Sequence, residues 1–288
     1  MNEISSRPRL YLSPSVVALY VFLAAVTLAM FLPLVWMVYS SCKASSYEIL
    51  ADPWGLPQNW DFSRIAGQYV FAWTKGHLGI YVWNSVAVTI GTLVVVLLVS
   101  SMAAYAFARL EFRWREPLFY LLLIGLIIPV EAFLIPLFIE LRELGLLDTR
   151  RSLILAYSGT ALPLSIYILR AFMVNLPRDL DESAILDGCT SWGVFGRIIL
   201  PLVRPALATV GIFTALGAWN EFLMALIFIE TDGLKTLPLG LLAFYGYHRV
   251  EYHLLLCGLT ITTIPMIVIY FLFQRQIVEG LTAGALKE

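Results

Sequence analysis

Six apolar stretches, each 21–28 residues long, constrain this chain more than any other feature of its sequence. They cover residues 16–38, 82–107, 117–139, 153–173, 202–229 and 252–273. A stretch of about 20 apolar residues is long enough for one helix to cross the hydrocarbon core of a bilayer. Backbone polar groups must be paired inside the hydrocarbon, so such stretches fold as helices. The sequence therefore predicts an all-α integral membrane protein, with six transmembrane helices in one transmembrane domain over residues 1–288.

The composition also indicates a membrane protein. Hydrophobic residues make up 60% of the chain and charged residues 14%, against about 45–50% and 25% in soluble domains. The net charge of -1 gives no basic footprint for nucleic acid, so lipid is the expected surrounding. Cys42, Cys189 and Cys257 lie far apart, and the three histidines show no ligand spacing with them. We expect neither a disulfide framework nor a metal site.

The polar segments define the predicted topology. With the N-terminus inside, 11 of the 19 Lys and Arg residues lie on the inner side and 8 on the outer side, which satisfies the positive-inside rule. We therefore predict cytoplasmic tails at 1–15 and 274–288, an extracytoplasmic loop at 40–81, and a cytoplasmic loop at 178–201. Both termini are then cytoplasmic.

Residues 178–201 are polar, yet their pattern predicts a defined structure. Asp179 followed by Glu182 is typical of a helix N-cap with its capping-box partner, and Gly188 stands where a short helix ends in a left-handed turn. Apolar residues then recur at helical spacing; they are Trp192, Phe195, Ile198 and Ile199. Pro201 should stop or redirect this second helix. The 178–201 loop is thus predicted to be a helix-turn-helix between two spans.

Two acidic residues, Glu131 and Glu221, fall inside apolar stretches. A charge at mid-bilayer costs about 2.5–3.5 kcal/mol, so each should face a protein interior, water or a partner. One interpretation is that Asn220 and Glu221 line a translocation path; the alternative is that they bond neighbouring helices or break their own. The same alternatives hold for Glu131. Trp219 and Phe222 could stack on a solute ring, although aromatic residues in membrane helices more often serve packing.

Common catalytic motifs are missing from the sequence. It contains no G-x-x-x-x-G-K-[ST] phosphate loop, no nucleophile elbow and no H-E-x-x-H, and no paired carboxylates within a span. We therefore predict a protein that is not an enzyme and does not bind ATP through a phosphate loop.

The 178–201 loop resembles the signature loop of permease subunits of binding-protein-dependent ABC importers. That signature is E-A-A, three residues, a glycine, nine residues, then I-x-L-P. The matching residues here are Glu182, Ser183, Ala184, Asp187, Gly188, Ile198, Leu200 and Pro201. Ser183 replaces an alanine and Cys189 stands where alanine is usual; both are small, so the resemblance holds.

Further motifs resemble the carbohydrate-uptake subfamily, and the maltose-type second permease in particular. They are Asn84-Ser85, Pro129, Ile135-Pro136-Leu137, residues 144–149, residues 219–222 and the tail motif at 280–287. The resemblance implies a bacterial or archaeal cytoplasmic-membrane protein that imports a sugar or oligosaccharide. A polyol or glycerol phosphate is the alternative solute, and a channel or a membrane-embedded enzyme is the alternative of another class.

The resemblance also implies partners and roles. It implies a distinct second permease subunit, two ATP-binding subunits and an extracytoplasmic solute-binding protein. ATP and Mg²⁺ would be held by the ATP-binding subunits, with no cofactor on this chain. The 178–201 loop would be a coupling helix seated in the ATPase, and Gly188 would set its turn.

Overall fold

The computed structural model describes residues 14–245 and 250–285. Of the predicted tails, only Pro14 and Ser15 of segment 1–15 and residues 274–285 of the last segment fall within these ranges. The α-helices are α1 (Pro14–Ser41), α2 (Ser46–Ala51), α3 (Phe62–Thr74), α4 (Leu78–Arg109), α5 (Arg115–Ile124), α6 (Leu134–Glu143), α7 (Arg150–Val174), α8 (Asp179–Leu186), α9 (Ser191–Val194), α10 (Leu200–Leu202), α11 (Arg204–Asn220), α12 (Leu223–Phe228), α13 (Leu237–Gly240) and α14 (Tyr252–Ala285). Short 3₁₀ helices cover Val130–Phe133, Asp232–Leu234 and Leu241–Phe244, and a π-helical turn covers Phe195–Ile199.

Four helices in the described residues are long and apolar enough to cross a membrane. They are α1, α4, α7 and the Tyr252–Phe271 part of α14, and they coincide with the first, second, fourth and sixth predicted spans. A fifth candidate is the bent pair Ser191–Leu202 and Arg204–Asn220, whose two parts meet at 76°. The prediction of a helical membrane protein is confirmed, while the count of six spans stays a prediction.

The third predicted span is not a continuous helix, which corrects the sequence analysis. It consists of α5, a non-helical segment, the 3₁₀ helix Val130–Phe133 and α6. Pro129 lacks a backbone N–H and disfavours the helical conformation at the preceding residue, Ile128. The proline therefore separates two ten-residue helices instead of lying inside one.

The fifth predicted span is also interrupted. Helix α11 ends at Asn220, and Glu221 is extended (φ -67°, ψ 129°) before α12 begins. At its other end, Pro201 lies within the helical run of the π turn and α10, so the prediction that Pro201 redirects the chain is wrong by a few residues. The bend occurs at Val203, next to Pro205 in the first turn of α11.

Helix α4 is the centre of the molecule and packs chiefly against α7 and α11. Its buried face recurs every three or four residues and is rich in small or hydroxyl side chains, namely Ser85, Thr89, Thr92, Ser100, Ser101, Ala104 and Ala108. Small residues let membrane helices approach closely. At Gly91, an added Cβ would lie 2.5 Å from Cδ1 of Ile154 on α7. The apolar length of α1, in contrast, is not buried within this chain.

Asn84 and Ser85 attach the 230–237 segment to the start of α4. Asn84 is fully buried; its amide donates to the carbonyls of Gly233 and Lys235 at 2.9 Å, and its oxygen accepts from Nε of Arg150 at 2.9 Å. The Ser85 hydroxyl accepts from the N–H of Leu237 at 2.8 Å. This motif therefore organises the loops at the end of the molecule remote from the 178–201 loop.

Asp148, in the loop between α6 and α7, joins the same group of loops. Its carboxylate accepts hydrogen bonds from the N–H of Thr231 (2.9 Å), the N–H of Glu230 (3.0 Å) and the Thr231 hydroxyl. The Thr231 hydroxyl and then the Thr231 amide are the main causes that hold the pKa of Asp148 below its ordinary value. Asp148 also has a positive φ of 55°, a conformation that Asp and Asn tolerate better than most residues.

This lowered pKa predicts a pH dependence of stability. The stabilisation from the Asp148 carboxylate is fully present above its unfolded-state pKa of about 3.9 and is lost as pH falls through the lower folded-state pKa. We expect Asp148→Asn, which keeps the backbone conformation, to melt below the wild type at about pH 7 and to match it more closely near pH 3.5. Thermal unfolding in detergent at both pH values measures this. An unchanged difference between the two proteins at both pH values would contradict it.

Candidate functional site

The 178–201 loop folds as the predicted helix-turn-helix, with one change at its start. Helix α8 begins at Asp179, but its N-cap position is Arg178 and no side chain caps it. The predicted capping box of Asp179 and Glu182 is therefore wrong. Both side chains lie in the first turn, where negative charge still favours the helix dipole.

The turn at Gly188 is confirmed. Gly188 has φ +86°, the left-handed region that glycine adopts without a Cβ penalty. Two backbone hydrogen bonds close the end of α8: Cys189 N–H to Ala184 O at 2.9 Å and Gly188 N–H to Ile185 O at 3.0 Å. This pair is a Schellman motif. The glycine therefore ends α8 and fixes the direction in which the chain leaves it.

Thr190 starts the second part of the loop by capping α9. Its hydroxyl accepts from the N–H of Gly193 at 3.2 Å. The helical run then continues through the π turn into α10. Ile199 is fully buried, Ile198 and Leu200 are half-buried, and Pro201 is exposed. The isoleucines at this end, Ile198 and Ile199, thus attach the loop to the chain's core.

Apolar contacts anchor the inner side of the loop. Ala184 (6% exposed) and Val194 (1% exposed) belong to one buried cluster with Ala108 of α4 and Met173 of α7. Tyr105 of α4 adds a ring contact to Phe195, with centroids 5.1 Å apart. The loop therefore rests directly on the ends of two candidate membrane spans.

A buried ion pair joins α8 to α4. Arg109 Nε lies 3.0 Å from Asp181 Oδ2, and the side chains are 5% and 15% exposed. Arg109 Nε makes no hydrogen bond to any described residue. The attraction between the two opposite charges therefore holds this pair. Nη2 of Arg109 also donates to Leu176 O at 3.0 Å. Sequence analysis missed this pair, since nothing local links two residues so far apart.

A second ionic group stabilises the same end of the molecule. Arg170 of α7 lies 2.5 Å from Glu116 of α5, donates to the carbonyl of Phe107, and places its guanidinium 3.9 Å from the centroid of Phe119. Helices α4, α5 and α7 are therefore tied together where the 178–201 loop sits.

The outer side of the loop is an exposed apolar tip on either side of Gly188. Leu186 is 88% exposed, Trp192 68% and Ile185 57%. Glu182, Ser183 and Asp187 are exposed around the tip. An apolar patch rimmed by polar residues is typical of a protein interaction surface. The loop thus offers a partner a fixed shape with an acidic rim.

Glu221 is partly buried where the fifth predicted span breaks. Its carboxylate accepts from Met224 N–H at 2.7 Å and Ala225 N–H at 3.1 Å, so it caps the start of α12. It also borders a cavity of about 290 Å³ between α4, α7 and α11. The position of Glu221 is thus compatible with both interpretations: that it lines a translocation path and that it breaks its own helix.

The other intramembrane candidates lie in different surroundings. Asn220 is exposed and donates to Leu216 O of its own helix. Trp219 is 3% exposed and packs in a core cluster, and Phe222 is half-buried against another. Glu131 is exposed at the break between α5 and α6. The structure thus brings Glu221 to a cavity and Glu131 to a surface, and buries Trp219.

In the described part of the chain, no group of three or more His, Cys, Asp and Glu is placed to hold a metal ion. Cys42, Cys189 and Cys257 are free thiols.

Comparisons with known proteins agree with this arrangement. Residues 97–282 match the family described as "Binding-protein-dependent transport system inner membrane component". The chain is 38% identical over 285 residues to the probable ABC transporter permease protein YurM of Bacillus subtilis, covering 99% of this chain and 93% of that protein. It is 38% identical over 258 residues to the diacetylchitobiose uptake system permease protein NgcG of Streptomyces coelicolor, covering 88% and 83%. It is 36% identical over 259 residues to the trehalose transport system permease protein SugB of Mycobacterium tuberculosis, covering 89% and 92%.

A solved structure shares the fold. The chain superposes with a TM-score of 0.80 and 20% identity on a chain of a bacterial ABC transporter involved in the import of the acidic polysaccharide alginate, covering 94% of this chain and 99% of that one. The family match, the relatives and the fold lead to one assignment. The chain belongs to the family of binding-protein-dependent transport system inner membrane components and is a permease subunit of an ABC transporter.

Proposed function

We propose that this permease imports a sugar or oligosaccharide across the cytoplasmic membrane, driven by ATP hydrolysis on partner subunits. Relatives named for diacetylchitobiose, trehalose and arabinooligosaccharides support a carbohydrate substrate. The observation that carries the mechanism is the exposed apolar tip of the 178–201 loop, held rigidly on the ends of α4 and α7.

The tip would transmit movement from the ATPase to the spans. Leu186 and Trp192 would bury their exposed surface in a cleft of the ATPase, while Glu182 and Asp187 set the orientation at the rim. Ser183 and Gly188 complete this outer surface. The buried Ala184 and the half-buried Ile198 and Leu200 connect it to the core, and Pro201 follows them as an exposed residue of the same helical run. A rigid loop passes on displacement, because its anchored side cannot yield independently of α4 and α7.

The charge distribution supports a cytoplasmic position for the loop. Arginines gather at this end of the molecule, and the ones next to the loop or in it are Arg109, Arg113, Arg115, Arg170, Arg178 and Arg197. Positive residues favour the cytoplasmic side. With six spans, of which the third and fifth are broken, segments 1–15 and 274–288 would then also be cytoplasmic and segment 40–81 extracytoplasmic.

The proposed assembly contains a distinct second permease, two ATP-binding subunits and an extracytoplasmic solute-binding protein. One solved relative of the same fold is the alginate transporter in complex with an alginate pentasaccharide-bound periplasmic protein, which matches this chain with a TM-score of 0.63. ATP and Mg²⁺ would be bound by the ATP-binding subunits. On this chain, Glu131, Asn220, Glu221 and Phe222 would lie along the solute path, with Trp219 packed behind them.

The test is uptake by the assembled importer. The complex is extracted gently, its partners are identified, and it is reconstituted in proteoliposomes with ATP inside and solute-loaded binding protein outside. We expect co-purification of a second permease and an ATPase, with ATP-dependent uptake of a labelled oligosaccharide. Uptake of only a non-carbohydrate solute would overturn the substrate, and ATP-independent flux by this chain alone would indicate a channel.

A further inference from the structure

The break in the third predicted span lies near the middle of that apolar stretch, residues 117–139. Ten-residue helices, α5 and α6, flank it on the two sides. At 1.5 Å per residue each is about 15 Å long, about half of a hydrocarbon core of about 30 Å. Of the residues between them, 125–133, the part 125–131 is called the break segment below.

The break segment leaves main-chain groups unpaired on the surface of this chain. The carbonyl oxygens of residues 125–128 accept no hydrogen bond from any residue that the structure describes. Ile127 is 80% exposed, and the carboxylate-bearing Glu131 is exposed beside it. If the stretch 117–139 crosses the membrane as predicted, this surface carries four free hydrogen-bond acceptors and one acidic side chain within the hydrocarbon region.

Such a surface cannot face lipid. In hydrocarbon, an unpaired backbone carbonyl costs at least as much as the burial of one large apolar side chain gains. The exposed Leu126, Ile127 and Ile128 would gain from lipid contact, but four carbonyls and Glu131 would lose more. Non-helical backbone at this depth is tolerated where protein covers it or where it lines a water-filled cavity.

The surroundings favour the water-filled cavity. Two cavities, of about 290 and 450 Å³, border the break segment and share Leu126 and Thr160 in their walls. The first is also bordered by Glu221, where the fifth predicted span is interrupted. Interruptions of two spans thus meet at one place, as in transporters whose solute sites lie between discontinuous helices.

We propose that the break segment lines the aqueous path of the importer, and that its free carbonyls, with Glu131 and Glu221, accept hydrogen bonds from hydroxyl groups of the passing solute. The acceptors suit a polyhydroxylated solute, because each hydroxyl can donate one hydrogen bond. The solute class rests on the function proposed above, whereas the water-filled path rests on the break segment and the two cavities that border it.

Thiol labelling of the full assembled importer tests this proposal. Ile127→Cys and, as a second reporter on the same side, Phe133→Cys are made in a background with Cys42, Cys189 and Cys257 replaced by serine or alanine. The control is Leu28→Cys, which is 71% exposed on the apolar length of α1. The probe is a charged, membrane-impermeant methanethiosulfonate, applied to complexes in lipid with and without sugar-loaded binding protein.

We expect both reporters to react at least about ten-fold faster than the control, because the thiolate is the reacting form and apolar surroundings raise the thiol pKa. Sugar-loaded binding protein with trapped nucleotide should slow the reaction. Labelling as slow as the control at both reporters, in complexes that still assemble, would overturn the aqueous path. A third outcome is fast labelling that sugar-loaded binding protein does not slow, in an importer that takes up no sugar. That outcome would support the aqueous path and overturn the assignment of a sugar as the solute.

Discussion

Replacement of Asp181 by alanine is expected to abolish ATP-coupled uptake and to release the ATPase from this subunit. The change leaves the Arg109 side chain, which is 5% exposed, with the Leu176 carbonyl as its one polar partner among the residues that the structure describes. Breaking a buried ion pair costs about 3–5 kcal/mol, because the remaining charge stays desolvated. The lost free energy weakens the attachment of α8 to α4. The apolar tip of the 178–201 loop should therefore lose its fixed position before the spans unfold.

The measurements are uptake in proteoliposomes, co-purification of the ATPase and thermal stability in detergent. A matched control is Glu111→Ala, which removes an exposed pair with Arg178 at 3.7 Å and should cost less than about 1 kcal/mol. The double variant Arg109→Met with Asp181→Leu should regain most of the stability, since it leaves no unpaired charge. Wild-type uptake and melting in Asp181→Ala would show that the ion pair does not position the loop.

Replacement of Gly188 by valine is expected to lower ATP-coupled uptake about ten-fold at normal membrane levels. A Cβ at this position would meet no atom within 4 Å, so the change tests the backbone alone. Holding an L-residue in the left-handed region costs about 1–2 kcal/mol, and a β-branched residue is especially unfavourable there. The end of α8 should then unwind, and the exposed Leu186 should no longer be presented to the ATPase.

Gly188→Asn is the control of choice, because asparagine adopts the left-handed region more readily than other residues. It should keep uptake within about two- to three-fold of the wild type, which corresponds to well under 1 kcal/mol. The ratio of uptake to ATP hydrolysis is measured for all three proteins in the same preparation. If the Gly188→Val variant and the wild type had equal ratios of uptake to ATP hydrolysis, a coupling role for this turn would be contradicted.

The sequence predicted the features that depend on neighbouring residues. Continuous apolar stretches predicted α1, α4, α7 and α14, because helix formation in a membrane requires only local length and hydrophobicity. Gly188 predicted its own turn, since positive φ is a property of one residue. The signature spacing of the 178–201 loop indicated the family that the comparisons then showed.

The sequence predictions that proved wrong concern prolines and a helix cap. Pro129 was expected to lie inside a continuous span, and Asp179 was expected to cap α8. Whether a proline kinks or ends a membrane helix depends on which neighbours pair the freed carbonyls, and the residues described here pair none at 125–128. A cap depends on a side-chain angle that sequence spacing leaves open.

By itself, then, the sequence determined the helical membrane fold, the helix-turn-helix form of the 178–201 loop and the family. Only the tertiary structure decided what joins that loop to the spans, and which polar residues share a cavity. Arg109 meets Asp181, Asn84 meets the 233–235 turn, and Leu126 shares a cavity with Glu221. These contacts join residues far apart in the chain, so they arise from how α4, α7 and α11 pack together, and no local pattern encodes them.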